Sequence, residues 1–258
     1  MNIQNIISKI FISSLSILLI AVNSFTPKIT IAQIFIDNFD DEIFQEKICK
    51  VPAKIPTELK EIFNKATNNI PCELLQSLER VEIFEDKTKT LPRAMANARI
   101  LKVRKDAINN KQDKNNKEII SVIIHELGHV VDLGGLTGTY SNNPQNISEF
   151  HDGALQFYND DLSLLFYNIS WTPKSPKADS TTLDFVGGYA RYDMFEDFAE
   201  SFVLYINHGK YFKALALQNK KLRNKYVFFK YYIFNGKEFN TGEIPDNLLV
   251  RSWDITQL

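Results

Sequence analysis

The chain has no excess of positive charge, no internal repeat and no long low-complexity segment. Its 258 residues include 30 basic and 31 acidic ones, which gives a formal net charge of −1. This balance argues against nucleic acid as a partner, because nucleic-acid-binding proteins carry basic surfaces. With ample isoleucine, leucine and phenylalanine, a chain of this length can bury the core of a single domain.

Acidic residues are also missing from the first 36 positions. A 13-residue apolar stretch, Ile10 to Val22, is too short to span a bilayer comfortably and has the proportions of a signal-peptide core. We therefore predict a signal peptide at residues 1–32, cleaved after Ala32 or, with a poorer fit to the small-residue rule, after Ser24. The alternative is an uncleaved membrane anchor extended by Ile29 to Ile36. Both interpretations predict a secreted or cell-surface protein.

Cysteine is scarce, since Cys49 and Cys72 are the only two. In an oxidising compartment, a pair closing a loop of about twenty residues is expected to form a disulfide that stabilises the fold by roughly 3 kcal/mol. Two free buried thiols are the alternative. Residues 33–258 are expected to form one domain with an irregular lead-in at 33–56.

Histidine is scarce as well, yet two of the four histidines lie four positions apart in His125-Glu126-Leu127-Gly128-His129. On a helix, this spacing puts both imidazoles on one face about 6 Å apart, which suits two ligands of one tetrahedral ion. Glu126 lies beside them, where its carboxylate can act as a base on a metal-bound water without occupying a coordination position. Buried structural histidines are the alternative, but they leave the glutamate unexplained. The motif predicts a site for one zinc ion.

The residues around this motif predict a buried helix. Asn115 or Asn116 can cap its start, and Gly134 and Gly135 supply a left-handed residue that ends it. The stretch from Ile119 to Val131 is apolar nearly all round. Since unpaired imidazole and carboxylate groups are costly to bury, a metal ion would give them a partner.

Two short strands are predicted before this helix, Arg80 to Phe84 and Ala98 to Val103. If the second strand lies at a sheet edge, its free backbone groups could pair with an extended peptide substrate, but an interior position is equally compatible with the sequence. Thr57 can begin a short helix that runs through Ala66, and a second short helix can start at Pro71.

A catalytic zinc site needs a third protein ligand and leaves the fourth position for water. One large class has a histidine six residues after the motif, but Gly135 stands there. A second predicted helix, which includes Phe195 to Phe202, carries Glu196 and Glu200 on one face among aromatic residues. One carboxylate is expected to bind the ion and the other to orient a ligand histidine. The alternatives are a solvated acidic face and His151 as the third ligand.

Tyr189 follows two glycines, Gly187 and Gly188. The pair permits a tight turn that presents the tyrosine side chain toward the site. The phenol could then donate a hydrogen bond to an oxyanion. A buried core tyrosine is the alternative.

Three segments together resemble the catalytic domain of anthrax lethal factor and its relatives, a branch of the gluzincin metallopeptidases. They are HELGHVVD at 125–132, FVGGYA at 185–190 and EDFAESF at 196–202. The resemblance covers about residues 95–240, including an aromatic and basic helix expected over Tyr211 to Phe234. It departs in one place, because 66 residues separate His129 from Glu196 and the segment Ser141 to Asp184 is peculiar to this chain.

The resemblance implies a fold and a set of roles. The fold is α+β and zincin-like, with a small mixed sheet packed on the active-site helix and a mostly helical C-terminal part. In the family, the first glutamate of the second helix binds zinc, which implies that role for Glu196. Tyr189 would stabilise the tetrahedral intermediate, while Glu200 and Asp132 would act as outer-shell groups around the metal ligands.

Motif and resemblance together predict a secreted zinc-dependent endopeptidase with Glu126 as general base and a protein or peptide as substrate. Two other interpretations stay open, a zinc-stabilised binding module without turnover and a cell-surface factor. Nothing in the chain resembles the receptor-binding portion of lethal factor, so the family's host-cell target is not implied. Substrate preference depends on loops such as 136–184, and the sequences of such loops do not indicate which substrate they bind.

Overall fold

A computed structural model of the chain describes residues 50–110, 112–138 and 144–258. These residues belong to one compact unit with bounds Ile48–Leu258. The predicted signal peptide or anchor, the first part of the lead-in and Cys49 lie outside the described residues, so the disulfide with Cys72 stays a prediction. No helix within the described ranges is long and apolar enough to cross a membrane.

The described residues form a mixed α+β fold of seven α-helices and two small sheets, in agreement with the predicted class. In chain order, the elements are α1 (Lys60–Thr67), β1 (Arg80–Phe84), β2 (Ala94–Ala96), β3 (Ile100–Arg104), α2 (Lys105–Ile108), α3 (Lys117–Val130), β4 (Ile147–Asp152), β5 (Leu155–Tyr158), α4 (Ser163–Ser170), α5 (Met194–Asn207), α6 (Gly209–Gln218) and α7 (Lys220–Phe228). The helix predicted from Thr57 is a 3-10 turn, Thr57–Leu59, followed by α1. After Pro71 there is only a 3-10 turn, Cys72–Leu75, in place of the predicted helix.

The larger sheet has the strand order β1-β3-β2, with β3 parallel to β1 and antiparallel to β2. The predicted strand Ala98 to Val103 corresponds to β3, which is interior and cannot offer a free edge to a substrate. It begins only at Ile100, because the side chain of Asn97 accepts hydrogen bonds from the amides of Arg99 and Ile100 and closes a turn there. The edge strands are β1 and β2, and the alanines of β2 gave no strand signal.

The motif helix α3 begins and ends differently from the prediction. Asn116 has a φ of 57° and makes no capping bond. Instead, the side chain of Asp113 accepts from the amides of Glu118 and Ile119, each at 3.0 Å. After Val130 the chain continues as a π-helical turn, Val131–Gly135. Gly134 and Gly135 do not have the expected positive φ. They allow close packing instead, since a Cβ on either would collide with Ser77 or the Leu74 carbonyl.

Helices α3 and α5 cross in close contact, which sets the geometry of the centre. A Cβ on Gly128 would lie only 3.1 Å from the Cα of Ala199, so the small residue lets the two backbones approach. Asp193 caps the start of helix α5, and its carboxylate accepts from the amides of Phe195 and Glu196 at 2.9 and 2.8 Å. The cap and the crossing together fix which residues of α5 face α3.

The C-terminal part is mostly helical, but the helix expected over Tyr211 to Phe234 is divided. Asn219 separates α6 from α7 and caps α7 by accepting from the amide of Leu222 at 2.9 Å. Helix α7 continues as a π-helical turn, Phe229–Ile233. Earlier in the chain, the predicted loop region 136–184 contains the β4–β5 hairpin and α4.

Candidate metal centre

Three side chains converge where α3 faces α5: His125, His129 and Glu196. One ligand atom from each lies within 4.8 Å of the other two. Glu196 Oε2 is 3.0 Å from His125 Nε2 and 3.6 Å from His129 Nε2. Ligand atoms about 2.1 Å from one tetrahedral ion lie about 3.4 Å apart. The three groups therefore have a spacing that could hold a single metal ion.

The Oε2 atom of Glu196 is buried, and among the described residues it has no hydrogen-bond partner. A buried carboxylate oxygen that accepts no hydrogen bond is costly, because it has lost water and has only its contacts with the two imidazoles in return. A cation between the three side chains would remove that cost. Two imidazoles and one carboxylate also form a donor set that catalytic zinc sites use, so these residues fit a zinc ion.

Glu200 lies one helical turn further along α5 and has a different position. Its Oε1 atom is 3.1 Å from Nδ1 of His125, and its Oε2 atom accepts from the backbone amide of Ile255 at 2.9 Å. The contact at Nδ1 orients the imidazole so that its Nε2 faces Glu196. The spacing of the two glutamates left open which of them joins the histidines. Glu196 lies beside the Nε2 atoms of both histidines, whereas Glu200 contacts His125 at Nδ1, on the other side of the ring.

Burial and charge act in opposite directions on this cluster. Burial opposes a charge on His125, but Glu196 and Glu200 raise the pKa of His125 well above its usual value. Burial likewise disfavours ionisation of Glu196, yet contacts with both histidines bring the pKa of Glu196 below its usual range. The cluster therefore stabilises positive charge at its centre.

Glu126 lies beside the three groups and takes no part in their contacts. It is buried, and burial raises its pKa above the usual value, although the histidines and a hydrogen bond from the Ala96 amide oppose this. A carboxylate with a raised pKa is suited to accept a proton and return it.

Tyr189 lies on the other side of the cluster, in a 3-10 turn, Tyr189–Arg191. Its hydroxyl donates to Glu196 Oε1 at 3.0 Å, and its ring stacks on that of His125 at 6.1 Å between centroids. The preceding glycines lie in a bend, as the predicted turn requires, but neither has a positive φ. Instead, a Cβ on Gly188 would collide with the indole of Trp253, so the glycine permits close packing.

The cluster opens into a cavity of about 350 Å³ with three walls. One wall is α3, one is β2 with the residues before it, and the third comes from the end of the described chain. The lining residues are Pro92, Arg93, Ala94, Met95, Ala96, Val122, His125, Glu126, His129, Tyr189, Glu196, Asp254 and Thr256. No local sequence motif marks Arg93, Asp254 or Thr256, so their place at the site could not be predicted from the sequence.

Asp132 and His151 lie outside the cluster. Asp132 is fully buried, its Oδ2 accepts from the hydroxyl of Tyr167 at 2.6 Å, and burial raises its pKa to about 7. Among the described residues, no hydrogen bond links it to either motif histidine. His151 is exposed on β4 opposite Gln156 of β5, and it is not one of the three grouped ligands.

No protein-family model matches the chain, and neither the curated proteins nor the solved structures give a match to it. The resemblance to lethal factor and its relatives thus stays a prediction from three short segments.

Proposed function

We propose that this chain is a secreted zinc-dependent endopeptidase with a zincin-like fold, similar to the lethal factor-like gluzincins. The observation that carries the proposal is the buried Oε2 of Glu196, which accepts no hydrogen bond from the described residues and lies beside the Nε2 atoms of His125 and His129. Glu126 and Tyr189 line the same cavity, so a base and a hydrogen-bond donor lie next to the ligands. Secretion rests on the N-terminal sequence alone.

His125, His129 and Glu196 would hold the ion. A bound zinc ion supplies Lewis acidity and lowers the pKa of water from about 15.7 to roughly 7. The protein residues move the protons: Glu126 accepts one from the attacking water and delivers it to the leaving amine. Its buried position favours this exchange, because the protonated form is not strongly disfavoured there.

Tyr189 would stabilise the oxyanion that forms on the scissile carbonyl. Its hydroxyl donates to Glu196 Oε1, so it already points toward the cluster. Burial first, and then the nearby Glu196, raise the pKa of Tyr189, which keeps the phenol protonated as a donor. Donating to a developing negative charge is worth more than donating to a neutral carbonyl, and this difference lowers the barrier.

An extended peptide is the substrate form that suits the cleft. The Arg93 carbonyl accepts from the amide of Arg104, and the Asn97 amide donates to Ile100, so these backbone groups are directed toward β3. Because backbone directions alternate along a strand, Ala94 and Ala96 direct theirs to the open edge beside the cavity. The backbone groups of Ala94 and the Ala96 carbonyl are therefore available to a substrate strand.

The decisive experiment is Glu126→Gln in zinc-loaded protein, assayed on an unstructured protein substrate with and without a chelator. We expect one zinc ion per chain to be kept and turnover to fall by about 10² to 10⁴. Glu61→Gln, which changes an exposed carboxylate on α1, is the matched control and should leave turnover unchanged. Zinc-loaded wild type without chelator-sensitive cleavage would instead favour a binding module.

A further inference from the structure

The backbone that presents Tyr189 is held by residues 252–256, here named the clamp segment. The amide of Gly188 donates to the carbonyl of Ser252 at 2.9 Å, and the amide of Tyr189 donates to the carbonyl of Trp253 at 2.7 Å. These two consecutive bonds fix the peptide units from which the tyrosine side chain projects. The segment thus determines where the phenol lies.

The clamp segment also reaches the histidine side of the centre. Ile255 is fully buried, and its amide donates to Glu200 Oε2 at 2.9 Å. The other oxygen of Glu200 lies 3.1 Å from Nδ1 of His125. A chain of contacts therefore runs from the Ile255 backbone through Glu200 to the imidazole that would bind the metal.

A polar cluster fastens the clamp segment to the opposite wall of the cleft. Asp254 Oδ2 accepts from Arg93 Nη2 at 2.9 Å, and the same Arg93 nitrogen donates to Thr256 Oγ1 at 3.0 Å. Arg93 also pairs with Glu118 at the start of α3. Asp254 in turn accepts from the Thr256 amide at 2.8 Å, which shapes the turn that carries Ile255.

The two glycines before Tyr189 leave the space that the clamp segment needs. A Cβ on Gly187 would lie 3.1 Å from the carbonyl of Ser252 and 3.3 Å from Glu200 Oε2. A Cβ on Gly188 would collide with the ring of Trp253. Side chains at these two positions would push the segment away from both Glu200 and Tyr189.

We propose that the clamp segment is a positioning element of the metal centre, which sets zinc affinity through Glu200 and orients Tyr189 through its backbone. The proposal rests on the metal centre proposed above but not on peptidase activity. Groups that orient a ligand histidine typically contribute 10- to 100-fold, as an order of magnitude, to metal affinity or activity.

The test is a double-mutant cycle on the full chain, with zinc affinity measured by competition against a chromophoric chelator. Asp254→Ala releases the segment from Arg93 and should weaken zinc binding by about 10-fold, and Glu200→Gln by about 10- to 100-fold. Because both act through one contact chain, the double variant should bind zinc no more weakly than Glu200→Gln alone. Gln257→Ala is the control, since it removes only a neighbouring bond to Asp254 and should change nothing.

Arg93→Gln is a second variant in case Asp254→Ala misfolds. It weakens the contacts of Arg93 with the clamp segment and leaves the hydrogen bonds within the Asp254 turn in place. It should weaken zinc binding in the same direction, and in both variants kcat should fall more than KM rises. Wild-type affinity in folded Asp254→Ala and Arg93→Gln, or fully additive losses in the cycle, would overturn the clamp proposal alone. Wild-type protein that fails to bind zinc would overturn it together with the metal centre, whereas zinc binding without cleavage would leave it standing.

Discussion

Glu196 and Asp197 are neighbours on α5, yet they belong to two different kinds of polar cluster. Glu196 faces the cleft, and one of its oxygens is buried without a hydrogen-bond partner among the described residues. Asp197 projects about 100° further round the helix and is fully buried, with both oxygens occupied. Lys225 Nζ lies 2.9 and 2.6 Å from them, and the indole nitrogen of Trp171 donates to one at 2.9 Å.

The two clusters differ in whether their buried polar atoms all have hydrogen-bond partners. Lys225 is also fully buried, donates to the Asp184 carbonyl at 2.9 Å and lies 4.4 Å from the centre of the Phe185 ring. The Asp197 cluster is complete within the protein and can be explained as a structural link between α5 and α7. The Glu196 cluster is incomplete, and a metal ion is what would complete it.

The largest effect should come from breaking the complete cluster. Lys225→Met leaves the Asp197 carboxylate buried without its charged partner, which should lower the free energy of unfolding by about 3–5 kcal/mol. Urea unfolding in the presence of a chelator measures this without interference from metal.

The matched variant replaces both charges, Lys225→Met with Asp197→Asn. The asparagine oxygen can still accept from Trp171, so the loss should be clearly smaller than for Lys225→Met alone. If Lys225→Met unfolds like wild type, the Asp197 cluster is not a structural link between α5 and α7.

At the incomplete cluster, Tyr189→Phe should act on turnover and not on stability. Removing the hydroxyl takes away an oxyanion donor, so turnover should fall by about 10² to 10³ while zinc content stays at one ion per chain. Metal analysis of the same preparations checks the second part. Loss of zinc would show that Tyr189 supports the ligands, and would make its contact with Glu196 structural.

The two halves of the centre could be predicted because helical spacing is local. His125 and His129, like Glu196 and Glu200, are four residues apart, so a periodic pattern places each pair on one face. Spacing alone could not tell which glutamate joins the two histidines, because that depends on the rotation of α5 against α3. Close approach at Gly128 and Ala199 sets this rotation, and no sequence pattern announces it.

The walls of the cleft were missed for a related reason. Arg93 and Asp254 are 161 positions apart, and neither lies in a periodic or motif-bearing segment. The strand Ala94–Ala96 is only three residues long and depends on pairing with β3. The prediction of a left-handed residue at Gly134 or Gly135 was wrong. These glycines allow close packing instead, because a Cβ there would collide with neighbouring atoms.

Zinc itself should separate the two clusters. If it binds only the native site, zinc at 100 times its Kd should raise the free energy of unfolding by about 2.7 kcal/mol. The increase in the free energy of unfolding should be equal in wild type and Lys225→Met, because the Asp197 cluster does not contact the ion. His129→Ala, which lacks a ligand, is the control and should gain little. If the stabilisation by zinc differed between wild type and Lys225→Met, the Glu196 and Asp197 clusters would not be independent.

Asp132 is intermediate between the two kinds of cluster. Its Oδ2 accepts from Tyr167, whereas its Oδ1 is buried and has no hydrogen-bond partner within the described ranges. Burial raises its pKa from 3.8 to about 7, so between these values the folded protein binds more protons than the unfolded chain. The stability due to this group is therefore complete below about pH 4 and is lost as the pH rises through about 7.

Asp132→Asn should flatten this dependence, because the asparagine stays neutral and can still accept from Tyr167. Between pH 4 and 8, the free energy of unfolding of wild type should fall by up to about 4 kcal/mol more than that of Asp132→Asn, measured by urea unfolding with a chelator present. Tyr167→Phe is the control: it removes a hydrogen bond that lowers the pKa of Asp132, so the decline should persist and extend to higher pH. Equal slopes in wild type and Asp132→Asn would mean that Asp132 is ionised in the fold, which would place it with Glu196 among the groups that need a cation.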